Sequence, residues 1–99
     1  MEFCVSDEVE YKGALVRVEA YVSSSYLCNR VREALSSRSL SEALSIVREH
    51  GGCRVVSNNP LIIESCDDEI RVVARPGNLV ARLGWGRAVS MANDYCGGC

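Results

Sequence analysis

The chain ends in two cysteines separated by two glycines, Cys96-Gly97-Gly98-Cys99, and this is the clearest chemical motif in the sequence. Two thiols at this spacing can form a redox disulfide or supply half of a zinc site. Redox enzymes usually place the first cysteine at the N-terminus of a helix, where the helix dipole stabilises the thiolate. Here the pair follows a predicted helix, at the end where the dipole has the opposite sign. The sequence therefore does not predict a thioredoxin-type enzyme.

The other four of the six cysteines decide whether this motif can form a zinc site or disulfides. A zinc site needs two further ligands, which Cys53 and Cys66 could supply if their strands meet the end of the chain. The same two cysteines could instead form structural disulfides, with the C-terminal pair or with each other, and we favour disulfides over zinc. Inert thiols are the third alternative. Cys4 and Cys28 are most simply small buried apolar residues. The candidate zinc ligands are thus Cys53, Cys66, Cys96 and Cys99.

Other residues offer weaker chemistry. Asp67, Asp68 and Glu69 could bind a cation, but clustered acids at a hairpin tip are usually solvated turn residues. His50 is the only histidine, and we interpret it as a surface residue at the end of a helix rather than a catalytic base. No serine or cysteine forms a nucleophile arrangement with it, and the glycines beside Trp85 lack the spacing of a phosphate-binding loop. We therefore predict no catalytic residue, no cofactor and no enzymatic activity.

Arginine outnumbers lysine ten to one. The codon preference of a G+C-rich genome explains this most simply, and contacts with RNA or carboxylates are the alternative. A net charge of −2 argues against a general nucleic-acid binder. Between residues 70 and 93, however, all charged residues are arginines, so a local basic face for RNA is an alternative prediction. Its candidate residues are Arg71, Arg75, Arg82 and Arg87.

The first residues of the sequence are informative about the cellular compartment. Its first ten residues contain four acids and no base, which is unlike a signal peptide. No apolar run approaches the roughly 18 residues of a membrane span. We predict a cytoplasmic protein without membrane contact. Cytoplasmic thiols are kept reduced, except in hyperthermophiles.

Periodicity predicts the elements that position these residues. Alternating apolar residues indicate a half-buried strand over 14–22, and apolar residues at helical spacing indicate helices over 25–36 and 39–50. A capping box, Ser39 to Glu42, opens the second helix and Gly51-Gly52 ends it. Residues 53–57 suit a short strand, followed by a turn over 58–60. Residues 1–12 are either a short edge strand or a frayed end.

A β-hairpin over residues 61–75 has the best-defined register. With Asp67 and Asp68 as the turn, Ile63 pairs with Val72 and the apolar residues share one face. The same register places Glu64 opposite Arg71 as a cross-strand ion pair.

The segment over 78–95 is ambiguous. We favour one long helix capped by Asn78, although Gly84 and Gly86 each cost it about 1 kcal/mol relative to alanine. A packed neighbour close to both glycines would offset that cost. Alternatively, residues 79–83 form a strand and only residues 87–95 are helical.

Together these elements predict a single α+β domain over residues 1–99, with residues 96–99 as a short cysteine-containing tail. The fold is a two-layer sandwich in the order β-α-α-β-β-α. A mostly antiparallel sheet of three to five strands carries helices on one face.

Without the extra helix, this order and the text EIRVVARPGNLVARLGWGRAVSMAND resemble the Pcc1 subunit family of the KEOPS complex, which acts in tRNA modification. The resemblance spans about 60 residues and has no invariant motif. Residues 39–57, the two glycines and the CGGC tail depart from it. It implies a non-enzymatic dimerisation subunit that docks a kinase-like catalytic partner and helps to bind tRNA.

As a function we predict a small interaction or dimerisation subunit that binds a protein partner or a second copy of itself. The alternative is a structural zinc or redox protein that uses the CGGC pair. Trp85 is either a core anchor or an exposed interface residue, since tryptophan is enriched at interface hot spots. The candidate partner-binding residues are Leu79, Leu83, Trp85 and Met91.

Overall fold

A computed structural model describes residues 1–99, which form one five-stranded antiparallel sheet and four helices. The elements are β1 Glu2–Tyr11, β2 Ala14–Val22, α1 Ser25–Ser36, α2 Leu40–Arg48, β3 Cys53–Asn58, β4 Leu61–Ser65, β5 Ile70–Pro76, α3 Leu79–Leu83 and α4 Trp85–Tyr95. The strand order across the sheet is β1-β2-β5-β4-β3. The predicted fold class, an α+β sandwich with up to five antiparallel strands, is confirmed. None of the helices is long and apolar enough to cross a membrane.

The first strand is the main addition to the predicted order. Residues 2–11 pair with β2 along their whole length, so the edge-strand alternative is correct and the strand is longer than expected. A two-residue turn joins the two strands, with φ of 50° at Lys12 and 81° at Gly13. Two successive positive φ angles match the right-handed twist of the hairpin that they close.

The predicted hairpin lies at the centre of the sheet. Ile63 pairs with Val72 and Glu64 with Arg71, which confirms the register. On its other side β5 pairs with β2, where Val18 lies opposite Ala74. The apolar face of these strands forms the core with α1, α2 and α4, and Ile63, Val72 and Val18 are all almost fully buried.

The first two helices form as predicted, but their N-termini are stabilised by different contacts. The Ser24 hydroxyl caps α1 by accepting the Leu27 N–H at 3.3 Å. Ser39 makes no side-chain cap at the start of α2, so the predicted capping box is wrong. The backbone near Ser39 is instead held by β1, where the Glu10 N–H donates to the Arg38 carbonyl at 2.8 Å. Because that strand already fixes the entry to α2, the cap is not needed to set its position.

The C-terminal segment is helical from residue 79 onward, which decides against the strand alternative. It is not one long helix, because Gly84 leaves helical geometry with φ −93° and ψ 5° and separates α3 from α4. The predicted cap is present, since the Asn78 side chain accepts the Ala81 N–H at 2.7 Å. The expected packed neighbour is absent: a Cβ at Gly86 would meet nothing within 4 Å. A φ of −93° is accessible to any residue, so the backbone at the break does not itself require glycine.

Candidate functional site

The cysteines are structural in this molecule. They form the disulfides Cys4–Cys28, Cys53–Cys96 and Cys66–Cys99, and no free thiol remains. A disulfide sulfur cannot act as the thiolate that zinc requires, so the disulfides argue against the predicted zinc site of Cys53, Cys66, Cys96 and Cys99. The expectation of a disulfide involving the tail is confirmed, whereas pairing of Cys53 with Cys66 is not found. Cys4 and Cys28 are also bonded rather than free apolar residues.

The two C-terminal disulfides fasten the end of α4 to the sheet. Cys96 is buried against Cys53 on β3, and Cys99 reaches Cys66 beyond the end of β4. The Gly98 N–H also donates to the Cys53 carbonyl at 3.0 Å. Each cysteine of the CGGC motif therefore bonds to a different segment, which makes the motif a clamp.

The four arginines predicted to form a basic face lie in different places. Arg71 donates to Glu64 through two nitrogens, at 2.9 and 2.6 Å, on the sheet face away from the helices. Arg75 on the same face pairs with Glu19. Arg82 is exposed on α3 and Arg87 on α4. The first two are neutralised by carboxylates, so the four do not form one surface for phosphates.

Three large apolar side chains project into solvent from α3. Leu79, Val80 and Leu83 are 62, 63 and 80% exposed, whereas Ala81 is the only buried residue of this helix. A helix of five residues turns only about one and a half times, so it can bury one side and must expose the rest. We call Leu79, Val80 and Leu83 the α3 surface.

A narrow apolar cleft adjoins the α3 surface. Its volume is about 180 Å³, and it lies between the β1–β2 turn and the junction of α3 with α4. Apolar groups dominate its walls, and Lys12 and Arg87 contribute the only charged side chains. We call it the α3 cleft. It is lined by Tyr11, Lys12, Ala14, Val16, Val80, Ala81, Gly84, Trp85 and Arg87.

The structure separates the four predicted partner-binding residues. Leu79 and Leu83 belong to the α3 surface. Trp85 is 8% exposed, and its indole N–H donates to the Asn58 carbonyl at 2.9 Å, so it is a core anchor that also lines the cleft. Met91 is half-buried between α2 and α4, where its sulfur lies 4.0 Å from the Ser41 hydroxyl. The sequence interpretation missed Val80, whose exposure follows from the break at Gly84.

A second, larger cleft of about 860 Å³ separates α2 from α4. It is open, most of its lining residues are polar types, and both charge signs are present, with Arg48 and Arg87 among them as well as Glu10 and Asp94. The Arg48 guanidinium lies over the Tyr95 ring, 4.7 Å from its centroid, which occupies part of the cleft. Mixed charge and hydroxyl groups give this cleft no preference for a single class of ligand.

Comparison with known proteins provides no family assignment. The chain matches no protein-family model, no curated protein and no solved structure. Its function must therefore be inferred from its own surface.

Proposed function

We propose that this chain is a non-enzymatic interaction subunit that binds a protein partner through the α3 surface and the α3 cleft. The exposed apolar side chains of the α3 surface are the observation that supports this proposal. Burying one leucine or valine side chain contributes about 1.5–3 kcal/mol relative to leaving it in water. Contiguous exposed apolar groups beside a cleft are typical of sites that another protein covers.

The charges around this site indicate the chemistry of the partner. Lys12 and Arg87 line the α3 cleft, and Arg82 lies within α3. None of the three is in an ion pair. A partner segment that inserts an apolar side chain into the cleft and carries flanking Asp or Glu residues would satisfy both the apolar and the basic groups. We propose a segment of that composition as the occupant.

The same charges favour a different protein over a second copy of this chain. A two-fold symmetric dimer brings identical patches together. Contact through the α3 surface would place Arg82 and Arg87 of one copy near those of the other, and like charges at an interface are costly. Of the two predicted partners, we therefore propose the hetero-complex.

The resemblance to the Pcc1 subunit family is part of this proposal. It requires a helix after the central hairpin, and the segment there is helical, although Gly84 divides it into α3 and α4. Under this interpretation the partner belongs to a tRNA-modification assembly. Direct RNA binding is less well supported, because Arg71 and Arg75 already pair with Glu64 and Glu19.

The disulfides restrict where the chain works. Disulfides persist in oxidising compartments and in the cytoplasm of hyperthermophiles. An oxidising compartment accounts for the three disulfides directly, and the predicted cytoplasmic location is proposed only for a hyperthermophilic source.

Copurification from the source cells tests the proposal. The full chain is compared with a Val80→Ser, Leu83→Ser double variant, and Tyr26→Ser on α1 is the matched control because Tyr26 is equally exposed at 65%. We expect one partner to be recovered with the wild type and the control, and at least about tenfold less with the double variant, since 1.4 kcal/mol corresponds to that factor. Cross-linked peptides should come from an apolar and acidic segment of the partner.

Two results would overturn the proposal. One is equal recovery by the double variant, whose urea midpoint should match that of the wild type because the changed residues are exposed. The other is sedimentation of the isolated chain as a dimer that the double variant abolishes, which would make the α3 surface a self-association site.

A further inference from the structure

The end of α2 meets the tip of the central hairpin at a group of three potential metal ligands. The His50 Nδ1 lies 3.9 Å from Asp67 Oδ2 and 3.7 Å from Glu69 Oε2. All three ligand atoms lie within 4.8 Å of one another. The two carboxylates come from the hairpin turn, but His50 is 17 residues away from Asp67 in sequence, so only folding brings them together.

These distances are too long for hydrogen bonds, which join nitrogen and oxygen at about 2.7–3.2 Å. They are close to the separation of two ligands on one zinc ion. With bonds of about 2.1 Å and tetrahedral geometry, adjacent ligand atoms lie about 3.4 Å apart. The two histidine distances exceed this value by only a few tenths of an ångström. The two carboxylates, which lie within 4.8 Å of each other, would move closer together by up to about 1.4 Å on binding the ion.

The backbone around this group holds the ligands in place. Gly51 and Gly52 reverse the chain after α2 with φ of 89° and 113°, and the Cys66 N–H donates to the Gly52 carbonyl at 3.3 Å. This bond fixes the hairpin tip beneath the end of the helix. The Cys66–Cys99 disulfide lies immediately next to Asp67 and restrains the same turn.

One oxygen of Asp67 is used in the turn and the other is available. Oδ1 accepts the Ser65 hydroxyl at 2.6 Å and the Glu69 N–H at 3.2 Å, which leaves Oδ2 directed toward His50.

We propose that His50, Asp67 and Glu69 bind one divalent transition-metal ion of the zinc type, with water in the fourth position. The imidazole selects against calcium and magnesium, which prefer oxygen ligands alone. The site uses none of the cysteines and is independent of the α3 surface.

Isothermal titration of zinc chloride into the disulfide-intact full chain tests this site. We expect one ion per chain. Affinity should fall at least about tenfold in His50→Gln and in Glu69→Gln, since loss of even an outer-shell partner costs about that much. Asp68→Asn is the matched control, because Asp68 belongs to the same turn but pairs with Arg54 at 2.8 Å, and its affinity should be unchanged.

X-ray absorption of the zinc-loaded protein gives a second readout that does not depend on variants. We expect a first shell of nitrogen and oxygen only. Sulfur in that shell would overturn the proposal, because it would mean that zinc had taken opened disulfides. Absence of zinc binding, or equal affinity in His50→Gln and the wild type, would also overturn it.

Discussion

Glu64 is the only charged residue among the buried ones, and its partners explain how the sheet accommodates it. Its side chain is 9% exposed and accepts two hydrogen bonds from Arg71, while Arg54 lies 3.8 Å away. A buried charge is stable only when it is paired and hydrogen-bonded. The Glu64–Arg71 pair could be predicted because hairpin register alone determines it. The position of Arg54 could not, since it depends on how β3 joins the sheet.

Removal of Arg71 should therefore be costly. We expect Arg71→Ala to lower the free energy of unfolding by about 2 kcal/mol, below the 3–5 kcal/mol typical of a fully buried pair because Arg71 is partly exposed and Arg54 remains. Arg75→Ala is the control, since its pair with Glu19 is more exposed and should cost less than about 1 kcal/mol. Urea denaturation measures both. An equal decrease in the free energy of unfolding in the two variants would contradict the conclusion that the buried carboxylate of Glu64 needs Arg71.

Tyr21 gives a pH-dependent test on the same face of the sheet. Its hydroxyl donates to Glu19 at 2.9 Å, and this bond is the largest cause of a pKa above the ordinary value of 10.0. Because the folded state holds the proton more tightly, this stabilisation is complete below pH 10 and is lost as the pH rises through the folded-state pKa. We expect Glu19→Gln to lower the Tyr21 pKa, as measured by NMR of the ring carbons. An unchanged pKa would rule out Glu19 as the cause.

At the scale of elements, local sequence patterns predicted the position of a strand correctly where burial of one apolar face dominates. Alternating apolar residues located β2, and a paired register located the central hairpin. Predictions were left open, or were wrong, where contacts between residues distant in sequence decide the outcome. β1 is acidic and weakly patterned, and it is held as an edge strand by pairing with β2. The two helices around Gly84 were predicted as one, because sequence alone does not show whether a glycine is tolerated or breaks the helix.

The C-terminal residues 96–99 were predicted as a short tail, but two disulfides bond them to the sheet. The contributions of these two disulfides to stability can be compared. The two C-terminal bonds close loops of 43 and 33 residues, for which chain entropy predicts a similar stabilisation of about 4 kcal/mol each. Cys53 and Cys96 are buried, whereas Cys99 is exposed. Removing the buried pair also removes packed sulfur atoms.

We therefore expect Cys53→Ala with Cys96→Ala to lower the free energy of unfolding by about 1 kcal/mol more than Cys66→Ala with Cys99→Ala. Urea denaturation under non-reducing conditions makes the comparison. A larger loss from the exposed pair would mean that the clamp acts mainly through the hairpin tip and not through α4 and β3.

At the scale of the whole molecule, the two sides of the sheet have different chemistry. The sheet face away from the helices carries exposed apolar residues such as Phe3 and Leu15 together with charged ones. Its arginines are neutralised by carboxylates, in the pairs of Arg71 with Glu64 and Arg75 with Glu19. The helical side ends in the apolar α3 surface with unpaired basic residues near it. The sequence placed Leu79 and Leu83 in a partner-binding set, but it could not separate them from Trp85 and Met91. That separation depends on burial, which the helix break and the core determine.

Site-specific photo-crosslinking tests the proposed docking role most directly. A photoreactive residue replaces Leu83 in one version of the full chain and Tyr26 in a second, and both are expressed in the source cells. We predict one discrete cross-linked partner from position 83, joined through an apolar and acidic segment, and none from position 26. No product from position 83, or the same products from both positions, would contradict the proposal that the α3 surface binds a specific protein.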